Sequence, residues 1–314
     1  MAADESERRD PAAEITKLIV DRLKAGVLPW SRPWNAPAGG RPLRHEGTPY
    51  TGINTLYLWA IGDARGYRSR YWMTYRQAAE LGGQVRQGET GSLSVYFSNF
   101  RKAQADPRTG EEKEKSIRFL RHYVVFNADQ VDGLPAYFHP SAIAAVPAAL
   151  SKRQDAIDAF FGAIPAEVRH GGGQAFFSPT FDYVQLPEPA AFQSMDHYAS
   201  TRAHETVHWT GAQKRLSRQF GKRFGDKAYA FEELVASIGQ ALVCAELGLP
   251  DSLHDSHASY IDHWLRILRA DKSAIIHAAA KAEQAVTFLK QFGNAVETGR
   301  RAAEPIPPPE MLAA

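Results

Sequence analysis

The sequence predicts an α+β protein of two domains. Three observations carry this. Residues 11 to 135 mix helical and strand periodicities. Residues 127 to 150 are rich in Ala and Pro and read as a linker. Residues 150 to 295 hold one strand pattern and then strong helix patterns, the first carrying a metal-site motif. A chain of 314 residues has room for two ordinary domains, and 44% hydrophobic content suffices for buried cores.

The elements follow in order. Residues 1 to 10 are charged and read as disordered. Glu14 to Leu28 has amphipathic spacing and stops at Pro29. Residues 31 to 48, rich in Pro and Gly, read as a loop able to order on a ligand. Ile53 to Ile61 and Tyr75 to Leu81 read as helices, the second closed by Gly82-Gly83. Leu93 to Phe100 and Phe119 to Phe126 read as strands, with Ala105 to Ser116 a charged hairpin insertion between them. Lys152 to Phe161 opens the second domain as a helix. Phe181 to Pro187 alternates apolar and polar residues and stops at a proline, as a half-buried or edge strand does. Phe192 to Ala203 then leads into a helix carrying His204 to His208, which Trp209-Thr210-Gly211 ends with Gly211 as its C-terminal cap. Ala230 to Leu242, Tyr260 to Leu268 and Ile275 to Phe292 are further helices. The tail, 302 to 314, holds four prolines and reads as extended or disordered.

The chemistry centres on His204-Glu205-Thr206-Val207-His208. Residues four apart on a helix share a face, so both imidazoles can reach one ion. Glu205 lies one residue round, placed to take a proton from metal-bound water. The alternative is a chance match on an ordinary helix. Catalytic zinc needs a third protein ligand and keeps its fourth position for water. The next helix supplies adjacent carboxylates, Glu232 and Glu233. One can simply favour the positive helix N-terminus while the other binds the ion. Helical phase favours Glu233, which shares a face with Ala236, Ser237 and Gln240.

The net charge of +2 hides an asymmetry. Between Arg22 and Ala105 stand twelve Lys or Arg against four Asp or Glu. Aromatics crowd the same region, as in Trp30-Ser31-Arg32-Pro33-Trp34 and Arg65 to Trp72. Basic charge follows a phosphate backbone, and aromatic faces stack on splayed bases. A packed core under a solvated basic surface would give the same composition, and Tyr57 and Trp59 suit a core. Composition does not separate single-stranded DNA from duplex or RNA. The single Cys244 lies in an apolar run and reads as a core residue, which favours a reducing interior. No signal peptide and no apolar run near twenty residues is evident, so a cytoplasmic protein with no membrane contact is expected.

At His204 to Gly211 a resemblance becomes specific. With Asp182 to Pro187 before it and Glu232 to Ala236 after it, the segment resembles the zincin-like metallopeptidase domain of plasmid antirestriction proteins of the ArdC family. Related domains occur in TraC-type plasmid primases. Gly47 to Asn54, Trp72 to Ala78, Leu81 to Glu89 and Val124 to Asn127 resemble that family's N-terminal domain. The match spans about residues 11 to 295. It implies a single-stranded-DNA-binding module followed by a domain holding Zn2+ or another divalent metal. It also implies a strand beside the cleft able to pair with an extended peptide. Arg32, Trp34, Arg68, Arg70, Arg76 and Arg86 are the candidate DNA contacts. The chain departs at Ser237, where the family often has an acidic residue.

The expected function is therefore antirestriction: binding single-stranded DNA, carrying a zinc peptidase-like site, and protecting incoming plasmid or phage DNA. Metal ligands would be His204, His208 and Glu233, with Glu205 catalytic. His170, Tyr198 and Tyr229 are candidates to stabilise an oxyanion. Two alternatives stand beside this: a DNA-coating protein with a structural or vestigial metal site, or a protease with a host restriction factor as its protein substrate. The DNA surface is expected on a separate domain, so a fragment ending near residue 140 should bind by itself.

Overall fold

The computed structural model describes residues 10–30, 40–105, 112–139, 147–221, 227–249 and 257–303. Arg32 and Trp34 lie outside the described residues. So do the expected tails, apart from Asp10, Ala302 and Ala303. Those three belong to helices. Asp10 caps α1 (Pro11–Lys24) by accepting from the Ala13 N–H at 3.1 Å, and the last two end α8 (Ala274–Ala303).

The N-terminal half is built on a sheet of order β1-β2-β5-β4: Leu43–Arg44, Tyr71–Met73, Glu112–Asn127 and Ser92–Ala105. Strand β1 pairs parallel with β2, and the other pairings are antiparallel. Helix α2 (Ile53–Arg65) ends where Gly66 turns left-handed at φ 67°, a conformation that suits glycine. Helix α3 (Tyr75–Glu80) starts from a reciprocal capping box of Thr74 and Gln77.

Two expectations are corrected here. The insertion expected from Ala105 to Ser116 is strand at Ala105 and from Glu112 to Ser116, and residues 106–111 lie outside the described residues. β4 and β5 stay in register from Ser92↔Val125 to Ala105↔Glu112. Strand pairing runs through backbone N–H and C=O groups and does not require apolar side chains, so the charge of this segment misled the reading. The stretch from Asn127 is also no linker as far as His139. Val131–Asp132 forms β6 against β3 (Gln84–Val85), and Ala128, Val131 and Phe138 fill a small core with Met73, Ala78 and Val85. Asn127 is buried and donates to the Ser69 carbonyl at 3.0 Å. Residues 140–146 lie outside the described residues.

The C-terminal half opens with α4 (Pro147–Ala163) and a sheet of order β7-β9-β8. The strand expected from Phe181 is β9 (Tyr183–Leu186), and it is central. β7 (Glu167–His170) flanks it in parallel and β8 (Phe176–Ser178) antiparallel. Four helices follow: α5 (Met195–Thr210), α6 (Lys227–Leu247), α7 (His257–Ala270) and α8. By length and composition α6 could cross a membrane, but 78% of its most apolar window is buried inside the fold. It is the central core helix.

The halves are not independent. One continuous core runs from Ile15, Ile19 and Trp30 through Leu56 to Trp264, Ile275 and Leu289. Trp30 packs on Trp264 with ring centroids 5.6 Å apart. Arg41, almost fully buried, pairs with Glu246 of α6 and Glu283 of α8, both at 2.8 Å. Charge and periodicity are local signals and could not reveal this shared interior.

Candidate metal centre

Helix α5 carries the motif because Ser194 caps it, accepting from the His197 N–H at 3.2 Å. Its far half is buried from Ala203 to Thr210. Gly211 ends it, but not by a left-handed turn: its φ is −78°. The reason for glycine is space. A Cβ there would lie 2.7 Å from Arg218 Nη2 and 2.8 Å from Phe220 Cζ. Gly239 on α6 plays the same part. A Cβ would lie 2.8 Å from both γ-carbons of Val207, so its absence lets α6 close onto α5.

That approach assembles the site. Donor atoms of His204, His208 and Glu233 lie within 4.8 Å of one another. Glu233 Oε2 is 3.5 Å from His204 Nε2, and Oε1 is 3.4 Å from His208 Nε2. Bonds of about 2.1 Å at tetrahedral angles put donors about 3.4 Å apart, so the group fits a small divalent ion. The other ring nitrogens are engaged elsewhere. His204 Nδ1 faces Gln240 Oε1 at 3.3 Å, and Gln240 donates to Ser200 Oγ at 2.7 Å. His208 Nδ1 faces Glu232 Oε1 at 3.2 Å. Such contacts fix the tautomer and aim Nε2 at the ion.

Glu232 therefore does more than favour a helix terminus. Arg218, 3% exposed, clasps it with bonds of 2.8, 2.9 and 3.2 Å. Arg218 also donates to Thr210 Oγ1 at 2.8 Å and to the Val207 carbonyl at 2.7 Å. One buried guanidinium thus ties both site helices together. Burial opposes ionisation of Glu232, but His208 and Arg218 hold its carboxyl below the usual range. Burial opposes ionisation of Glu233 too, and the two imidazoles, His208 foremost, hold it far below that range. Burial pulls the His208 imidazole down, yet Glu233 and Glu232 carry it up to about 10.

Glu205 is buried in the same cleft, which encloses about 700 Å³. Burial pushes its carboxyl up, partly offset by His204 and His208. That is the direction a general base needs. The Phe177 backbone N–H of β8 bonds to it. Edge strand β8, not β9, thus lies along the cleft. Tyr229 and Tyr260 also line it, their hydroxyls 3.2 Å apart. Burial pushes both phenols up. His170 and Tyr198 bond to each other at 2.9 Å and are not among the residues lining this cleft. Gln240 entered the sequence reading only as a neighbour on the Glu233 face, and Arg218 and Tyr260 escaped it, because neither lies on α5 or α6.

The candidate DNA contacts divide. Arg68 is exposed. The Arg76 side chain is 89% exposed and pairs with solvent-facing Glu80 at 2.8 Å. Arg86 is engaged by Glu89 at 2.7 Å and Asp132 at 3.3 Å. Arg70 braces the chain, donating to the Arg41 carbonyl at 3.0 Å, and burial pulls its guanidinium down. Trp30, Tyr50, Tyr57, Trp59 and Trp72 are buried, so much of the aromatic excess is core. Ser237 accepts from the Trp30 indole N–H at 3.0 Å.

Comparison with known proteins covers both halves. Residues 9–126 match the N-terminal domain of anti-restriction factor ArdC, and residues 155–281 match the zincin-like metallopeptidase family. The crystal structure of the antirestriction ArdC protein from the R388 plasmid, metal-free, superposes with a TM-score of 0.76 at 43% identity. It covers 91% of this chain and 99% of its own. The chain belongs to the ArdC family. The Mn(II)-bound form of the R388 protein matches with a TM-score of 0.74 at 41% identity, over 91% of this chain and 98% of that one. Protein y4eC of Sinorhizobium fredii is 37% identical over 88% of this chain and 90% of its own length. DNA primase TraC of Escherichia coli is 35% identical over 93% of this chain, which spans only 28% of the primase. This ArdC-family chain thus joins a zincin-like domain to a His/His/Glu donor set for a divalent cation.

Proposed function

We propose that this protein is a single-stranded-DNA-binding antirestriction factor whose cleft performs metal-assisted amide hydrolysis. The observation that carries it is the His204, His208 and Glu233 cluster with buried Glu205 beside it. Two imidazoles and one carboxylate suit zinc, with manganese, iron or cobalt also possible ligand partners for such a set. A bound divalent ion would polarise a carbonyl and acidify a water. Glu205 would accept that proton and hand it to the leaving amine. Edge strand β8 would align an extended peptide, and Tyr229 with Tyr260 would donate to the developing oxyanion. The DNA-binding reading is supported by the ArdC-type N-terminal domain and the basic excess of that half. Arg68 and Arg76 are its accessible cations from the original set.

Glu205→Gln tests the hydrolytic reading. The swap is nearly isosteric and leaves all three ligands in place. Metal content and DNA affinity should be unchanged, while cleavage of a peptide library should fall by about 10²-fold or more. Cleavage equal to wild type would refute a catalytic Glu205. Protection of transferred DNA by this variant would assign protection to coating of the strand, with proteolysis a separate activity.

A further inference from the structure

Tyr96 and Phe97 are neighbours in β4, yet their exposures are 45% and 48%. Adjacent strand residues face opposite sides. The long hairpin therefore presents a ring on each face where it leaves the body. Asn54 fixes that point. Its side-chain amide donates to the Val95 carbonyl at 2.7 Å and accepts from the Val95 N–H at 2.8 Å. Around Tyr96 stand Tyr123, with ring centroids 6.2 Å apart, and Arg121, its partner across the ladder. Arg44 donates to Tyr123 Oη at 3.1 Å and lies 4.6 Å over the Tyr50 ring.

Of these groups Tyr96, Phe97, Asn54 and Arg44 line a groove of about 560 Å³ whose other wall is α8, and Arg121 stands beside Tyr96 outside its lining. Gln284, Thr287 and Gln291 share one face of that helix and are exposed. The only carboxylate among the described lining residues, Glu283, is neutralised. Arg41 meets both its oxygens at 2.8 Å, and the Gly52 N–H meets one at 2.9 Å.

We propose that this groove between the two halves seats a single strand of DNA. Bases stack on Tyr96 and Phe97, Arg44 and Arg121 meet phosphates, and the α8 amides and hydroxyl reach sugars or base edges. Stacking needs splayed bases, which a duplex does not offer. The proposal rests on the DNA-binding reading above. It moves the strand from the N-terminal half alone to the junction with α8.

The test uses the full-length protein and a fluorescent oligo-dT of about 20 nucleotides, enough to cross such a site. Tyr96→Ser with Phe97→Ser should weaken binding at least about tenfold. Thr287→Glu should weaken it several-fold, less so as salt rises. Thermal melts confirm that these exposed changes keep the fold. Tyr75→Ser, at an exposed ring of the same half that does not line the groove, should stay within about twofold. Wild-type affinity in both groove variants overturns the location and leaves the DNA reading standing. No oligo-dT binding by the wild type overturns both. A groove variant that changes oligomeric state but not DNA affinity makes the surface a contact between copies, which also overturns it.

Discussion

Glu232 and Glu233 are adjacent, yet one holds His208 from behind and the other completes the His/His/Glu donor set. Glu233 reaches both Nε2 atoms, while Glu232 is held between His208 Nδ1 and Arg218. Glu233→Ala should therefore abolish metal retention on dialysis. Glu232→Gln should leave metal bound but weaken it by about 10- to 100-fold, read by competition with a chelator. Complete metal loss in the Glu232 variant alone would reverse these roles. A second residue-scale prediction concerns Asp182, which pairs with Arg215 and, at 2.7 Å, with Lys214. The Arg215 hydrogen bond foremost, with Lys214, holds its carboxyl below the usual range against a modest burial effect. A depressed carboxyl stabilises the fold above its unfolded value of about 4, and that stabilisation is lost as pH falls through the lower folded value. Asp182→Asn should cost about 1 kcal/mol at pH 7, a few degrees at most in Tm. Asn tolerates the positive φ of 58° at this position. The gap to wild type should close as the buffer is acidified below about pH 4; a gap that persists there would exclude the ion pair as its cause.

At the scale of elements, the site depends on how closely α6 lies on α5. The sequence announces α6 through apolar spacing and α5 through the metal motif, and both form, α6 running longer at both ends than expected. Their separation is set by Gly239, which the periodicity could only register as a weak helix former. Gly239→Ala would place a methyl 2.8 Å from the Val207 side chain. The helices should part slightly, at a cost of about 1–3 kcal/mol. Metal affinity should fall together with Tm, although no ligand is changed. A variant that loses Tm but keeps wild-type metal affinity would show that the spacing does not govern the site. Strand order was equally hidden. Alternation identified β9, but only pairing shows that β7 and β8 flank it and that β8 takes the cleft edge.

For the whole molecule, the shared core changes the expectation for the isolated N-terminal fragment. Removing residues past 139 would bare Ile15, Ile19 and Trp30, the α1 face that α7 covers and the α2 face that α8 covers. It would also leave the nearly buried Arg41 without Glu246 and Glu283. An unpartnered buried charge and a large apolar face both oppose folding. A fragment ending near residue 140 should thus be aggregation-prone and melt well below the full chain. A monomeric fragment with a cooperative melt like the full chain's would show that the halves fold separately.

The sequence by itself determined which groups the site can use: two imidazoles and a carboxylate on one helix, a carboxylate on the next, and a basic, aromatic first half. Those follow from residue type and from the 3.6-residue period, which are local properties. Only the tertiary structure decided what each group meets. It took Trp30, Trp59 and Trp72 into the core, left Tyr96 and Phe97 outside, and brought Arg218 under His208 through Glu232. Burial and pairing between residues far apart in the chain are set by packing, and no local pattern encodes them.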